Sequence, residues 1–164
     1  HSYGKLLGKK SEMVEKAVYA GKEKQHLDLF YHIDHIGEET KAEIDVKGAL
    51  SDESKKIFRG TLDFKRGCSG SVGDEGDYAI QLDPKTKNIS LPLLLCTEDN
   101  VQGNHASSAG QLDANTIYFL MSRGFSLEEA RRIVVEALIR PIIDEMDESI
   151  REEVLSAVRE KLDK

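Results

Sequence analysis

The sequence predicts a mainly β chain with an α-helical tail, and three observations carry that prediction. Apolar and polar residues alternate with period two in successive runs from Leu27 to Cys96. The breaks between the runs are built from turn-forming residues. After Gln111 the apolar spacing lengthens to that of amphipathic helices.

The first 25 residues are Lys-rich and poorly patterned. Met13, Val14, Ala17 and Val18 can form a short helical face, but strand and disorder stay open there. From Leu27 the pattern sharpens. Leu27, Leu29, Tyr31 and Ile33 alternate with His26, Asp28, His32 and Asp34. Ala42, Ile44, Val46 and Gly48 alternate with acidic residues and lysines. Phe58, Gly60, Leu62 and Phe64 alternate with Arg59, Thr61, Asp63 and Lys65. Each run predicts a strand with one buried face. Tyr78 to Leu82 and Ile89 to Cys96 continue the series. Gly37, Gly48 with Ser51-Asp52, a loop from Gly67 to Gly76, and Asp83-Pro84 mark the breaks. Short strands at irregular spacings of about ten to twenty residues fit a sandwich or a coiled solenoid, and no strict repeat separates the two.

Asp113 is an N-cap for a helix carrying Ile117, Leu120 and Met121 on one face, and Gly124 ends it. Ser126 and Glu129 form a capping box, each side chain satisfying a free backbone donor at the next helix's start. Ile133, Val134, Ala137 and Leu138 supply that helix's apolar stripe, and Pro141 is expected to kink or end it. Asp147 starts a third helix with Ile150, Val154, Leu155, Val158 and Leu162.

Composition narrows the function. A net charge of −7 with 32% charged residues leaves no basic footprint for nucleic acid. The apolar runs are far too short for a membrane span. Cys68 and Cys96 form neither a Cys-x-x-Cys pair nor a disulfide framework, which suits a reducing cytoplasm. Cys96 closes an apolar strand and is expected to be buried; Cys68, in a Gly/Ser loop, is expected to be exposed. Beginning at His1, the chain reads as a piece of a longer protein. His32 and Asp34 share a strand face closely enough to contribute to a metal site, but a solvated strand face is the favoured reading, since Asp and His also serve as polar filler. The 66–76 loop lacks Gly-Lys-Ser/Thr, and no serine lies in a Gly-x-Ser-x-Gly context, so phosphate-cradle and serine-hydrolase readings lack support.

The most specific stretch runs from Glu98 to Arg132. Asp99-Asn100-Val101, Asn104-His105-Ala106-Ser107-Ser108-Ala109-Gly110, Leu112-Asp113 and Tyr118-Phe119-Leu120-Met121-Ser122-Arg123-Gly124 follow one another closely. In order and spacing this resembles the carboxyl-terminal region of the SufB/SufD family, scaffold proteins of iron–sulfur cluster assembly. The resemblance implies a β-helix, which decides between the two architectures. It divides the chain into an amino-terminal segment (1–25), a β-helix segment (26–111) and a helical subdomain (112–164).

The resemblance also implies a non-enzymatic, cytoplasmic scaffold subunit. It would pair with an identical or paralogous SufB/SufD-type subunit and dock the SufC-type ABC ATPase through the helices. Tyr118, Phe119, Met121 and Arg123 are the docking candidates. His105, which in SufD-like members follows the last strand, is the candidate ligand for iron or a cluster precursor. SufB-like members carry His-Glu where this chain has His105-Ala106, and a cysteine that registers with Gly76. Both departures favour a SufD-like member. The isolated chain is then expected to bind no stable cluster, iron or a cluster residing only transiently at a subunit interface. His35, Thr40 and Lys47-Gly48-Ala49-Leu50 also match the family and read as packing. The alternative is a β-helical interaction adaptor without metal chemistry. A hexapeptide-repeat acyltransferase is disfavoured because the apolar period is two, not six.

Overall fold

A computed structural model describes residues 1–162. Eight strands precede three helices: β1 (Ser2–Leu6), β2 (Glu12–Gly21), β3 (His26–His35), β4 (Lys41–Leu50), β5 (Lys55–Phe64), β6 (Val72–Gln81), β7 (Lys87–Cys96), β8 (Gln102–Gln111), α1 (Ala114–Ser122), α2 (Leu127–Asp144) and α3 (Glu148–Leu162). Odd strands form one parallel sheet (sheet A, order β1-β3-β5-β7) and even strands the other (sheet B, order β2-β4-β6-β8). The chain therefore winds as a solenoid of about four turns, as expected. Strands of sheet B begin 29 to 31 residues apart, and pairing is in register along every strand, so each residue stacks on its counterpart one coil away.

Inward-facing residues build the core. Ile33, Ile44, Val46, Leu50, Phe58, Leu62 and Phe64 are buried between the sheets, on the faces that the period-two pattern assigns. Gly48 has no room for a side chain, because a Cβ there would lie 2.1 Å from the Tyr19 carbonyl oxygen. At the corner after β3, His35 is fully buried, stacks on Phe64 at 4.3 Å, and places Nδ1 2.7 Å from Thr40 Oγ1. Thr40 in turn bonds Ser71, 2.8 Å away on the next coil. The matched residues His35, Thr40 and Gly48 are thus packing positions.

The core also holds an ion pair. Lys56 points inward from β5 and its ammonium donates to both oxygens of Asp77 on β6, at 2.5 and 2.6 Å, with both side chains out of solvent. The Tyr19 and Phe58 rings flank the ammonium at 5.1 and 5.6 Å. Burial lowers the lysine's pKa, and the Asp77 hydrogen bond and charge oppose that.

Several expectations are corrected. Residues 2–6 and 12–21 are strands, one of the alternatives that the weak amino-terminal pattern leaves open. Their pattern is blurred because α2 and α3 cover the outer face of β2. Val18 packs there against Ile139, Ile143, Leu155 and Val158 while Ala17 and Tyr19 face the core, and a strand covered on both sides loses its alternation. β6 begins at Val72, inside the expected loop. α2 continues through Pro141 to Asp144. Pro141 and Ala137, four residues earlier, are both exposed, so the carbonyl that loses its partner faces water. The longer helix buries Val135, Ile139, Ile142 and Ile143 in place of the expected Ile133–Leu138 stripe. The Asp113 cap and the Ser126–Glu129 capping box form as expected.

Two predictions follow from this core. Burial holds the His35 imidazole down at about 4, the Asp34 charge only partly offsetting it. A depressed histidine contributes stability that is complete above its unfolded value of 6.5 and is lost as pH falls toward 4. Urea unfolding of the parent and His35→Asn from pH 7 to pH 4 should show the parent losing on the order of 3 kcal/mol more. Parallel curves would refute the assignment. Separately, Lys56→Met leaves Asp77 buried without its partner and should cost about 3–5 kcal/mol, whereas Lys56→Met with Asp77→Leu should regain most of that. Equal destabilisation of the single and double variants would count against the pair as the cause.

Candidate functional site

The last coils bring together the residues singled out by the sequence. His105 lies within β8 and not after the last strand, as had been expected. β8 ends its sheet and is exposed on both faces, so it carries no alternation to read. Parallel register sets His105 beside Glu75, which in turn sits beside Ile44. The neighbouring row on the opposite face runs Asp45, Gly76, Ala106. The two positions at which the chain departs from the SufB-like pattern are therefore direct neighbours. They lie in a trough of about 490 Å³ on that outer face of sheet B, lined also by Glu43, Asp45, Lys47, Asp74 and Tyr78.

Glu75 was missed by the sequence reading, which took its surroundings for a loop. It points into the solenoid over Gly60 of β5, where a Cβ would come within 1.9 Å of its Oε1. It is 3% exposed, and neither carboxylate oxygen has a hydrogen-bond partner among the described residues. Burial pushes its pKa up to about 7, and the Asp77 charge adds to the effect. Lys56, the nearby cation, is already committed to Asp77.

A second cluster lies on the outer face of sheet A. His32 Nε2 is 3.0 Å from Asp34 Oδ1, the Tyr3 hydroxyl donates to Asp34, and Lys65 bonds Asp63 while standing 3.8 Å from Asp34. Asp34 and Asp63 are in register on adjacent strands. Donor atoms of His32, Asp34 and Asp63 lie within 4.8 Å of one another. Burial alone would raise the Asp34 pKa, but the Tyr3 and His32 hydrogen bonds and the Lys65 charge hold it below its usual range. Lys65 already stands where a cation would sit and offsets one of the two carboxylate charges. His26 and Asp28 share the face but not the cluster, and His35 faces the core.

The cysteines reverse their expected places. Cys68 is buried in the core, where desolvation pushes its thiol up, and Cys96 is exposed. Cys96 ends β7, an edge strand with nothing stacked beyond it.

Two surfaces remain uncovered. Ile89, Leu91, Leu93 and Leu95 form an apolar ladder on the outer face of β7, each 39–53% exposed. It lies beside the free edges of β7 and β8. α1 buries none of its residues. Tyr118 is 75% and Phe119 53% exposed, Met121, Phe125 and Leu127 are also exposed, and the Arg123 guanidinium lies 4.5 Å over the Phe119 ring. Tyr118 and Met121 line a cleft with Leu82, Pro84 and Leu112. No described helix is long and apolar enough to cross a membrane.

Comparison with known proteins places this geometry in context. A family model described as the SUF system FeS cluster assembly, SufBD core domain, matches residues 1–138. The iron–sulfur cluster assembly protein SufD of Bacillus subtilis is 30% identical over 148 residues, covering 90% of this chain and 34% of that protein. SufB of the same organism is 26% identical over 122 residues, 74% of this chain and 26% of its own length. An iron–sulfur cluster assembly SufBD family protein of Mycobacterium tuberculosis is 28% identical over 137 residues, 84% of this chain and 16% of its own. The chain thus spans about a third or less of these relatives.

Proposed function

The chain belongs to the SufBD core family of the SUF system, and on that premise we propose that it is a non-enzymatic scaffold subunit of iron–sulfur cluster assembly, SufD-like in character. One observation carries the reading: the solenoid ends in two free strand edges beside an exposed apolar ladder. Edges of that kind are normally covered. A second scaffold subunit, identical or paralogous, covers them here, and iron or a cluster precursor is held transiently as cargo near His105. The free cysteines suit a reducing compartment, the cytoplasm. Gly76 and Ala106, which supply neither thiol nor carboxylate, favour the alternative of an interaction adaptor without metal chemistry. Anaerobic reconstitution with iron and sulfide, alone and with candidate partner subunits, separates the two.

The helical end would dock an ABC-type ATPase. α2 and α3 spend their apolar faces on β2 and on each other, whereas α1 keeps its aromatic residues in solvent. Amphipathic helices with such faces dock into partner grooves.

Two measurements test these surfaces. Leu91→Asp with Leu93→Asp should weaken self- or paralogue pairing at least tenfold in sedimentation equilibrium while leaving the fold intact, because both side chains face solvent. Unchanged pairing would remove the β7 ladder from the interface. Phe119→Ala should weaken binding of the cognate ATPase by about 1–3 kcal/mol in calorimetry. Point substitution is cleaner here than deleting 112–164, which would uncover Val18 and the outer face of β2. Undiminished binding would place the docking surface away from α1.

A further inference from the structure

Glu75 presents an unresolved electrostatic problem. A carboxylate enclosed without a hydrogen bond costs several kcal/mol unless it is neutralised or paired. Lys56 cannot relieve it, because its ammonium is held by both oxygens of Asp77. Nothing on sheet A relieves it either, since the residue opposite is Gly60, whose missing side chain makes the space that Glu75 fills. The next coil offers a partner. On the same face, one coil on, stands His105, in register and exposed to solvent.

We propose that Glu75 and His105 are two protein ligands of one divalent transition-metal site at the open last coil, the carboxylate reaching from inside the solenoid and the imidazole from its rim. Adjacent strands start the two side chains about 4.8 Å apart. Donors sharing one ion at about 2.1 Å each lie about 3–4 Å from one another, within reach of a long and a ring side chain from those positions. A carboxylate with an imidazole suits ferrous iron, zinc or cobalt. His105 is exposed to solvent at this open coil, which leaves room for water or a partner subunit's donor to complete the coordination. The ion's charge also offsets the repulsion between Glu75 and Asp77.

The inference rests on the reading of His105 as a ligand, and the test keeps the two apart. Cobalt(II) is titrated anaerobically into the full chain in a His32→Ala background, which removes the imidazole of the sheet A cluster. The readouts are the visible absorption of bound cobalt and the broadening of the His105 ring signals in NMR. The expected result is one site, weakened at least tenfold by Glu75→Gln and by His105→Ala separately. Glu75→Gln should melt no lower than its parent, because it removes a buried charge, so the loss cannot be ascribed to unfolding. Weakening by His105→Ala alone would overturn the role of Glu75 and leave His105 standing as a ligand. Weakening by Glu75→Gln alone, without broadening at His105, would overturn the shared site. Unchanged binding in both variants, or no binding by the parent, would overturn the inference and the reading of His105 together, while pairing and ATPase docking would stand on their own measurements.

Discussion

In-register parallel stacking is the constraint on which the rest of this molecule depends. A coil of about thirty residues returns each strand to its predecessor with no slip, so every side chain sits on the side chain one coil away. The backbone ladder is thereby complete for inner strands, which is what lets their inward face be buried without unpaired backbone groups. The same rule brings unrelated-looking residues together. It stacks Asp34 on Asp63, Glu75 beside His105, and Gly76 beside Ala106. Like charges in register repel, and on sheet A the protein answers with Lys65, Tyr3 and His32. Inside the solenoid, no such answer reaches Glu75.

The interior shows how a narrow solenoid accommodates polar groups. Large side chains on one sheet are set against glycines or small residues elsewhere in the same layer. Tyr19 lies over Gly48, and Glu75 lies over Gly60. Lys56 and Asp77 then meet between the sheets with aromatic rings on the ammonium. An apolar pair would fill this space without the desolvation penalty. Polar residues in the middle of the core are thus not required by the fold, and neither is a carboxylate left unpaired beside them.

Much of the fold was legible because one-sided strands alternate. β3, β4 and β5 could be read directly from Ile33, Ile44, Val46, Phe58 and Leu62. The β-helix itself came from the family resemblance, because the corners differ in sequence from coil to coil and hide the repeat. β2 was obscured by the helices on its outer face, and β8 by having no covered face at all. β6 read as a loop because Gly73 and Gly76 stand where neighbouring side chains leave no room. The site was legible in part. His105, Gly76 and Ala106 were identifiable from the motif, but that Gly76 and Ala106 touch, and that Glu75 lies buried beside His105, follows only from register across thirty residues. Cys68 and Cys96 were misplaced for the same reason. Burial depends on whether another coil follows, which local sequence does not encode.

The two uncovered surfaces are also mechanically close. β8 ends at Gln111 and α1 begins at Ala114, leaving only Leu112 and the capping residue Asp113 between them. Asp113 accepts from both the amide and the hydroxyl of Thr116, so the junction is held by local bonds. No residue of α1 is fully buried, although Ile117 and Leu120 are half-buried, so its short links to β8 and α2 are restraints on its position. A load applied to the exposed aromatic face of α1 passes through two residues into the terminal strand, the strand that carries His105 and one of the free edges. α2 and α3, clamped to β2 by Val18, Ile139 and Leu155 and by the Lys16–Glu145 ion pair, hold the far side of the same sheet in place. Residues 123–126, turning at Gly124, join α1 directly to α2, so a load on α1 divides between that anchored pair and β8, which has only one neighbouring strand to hold it.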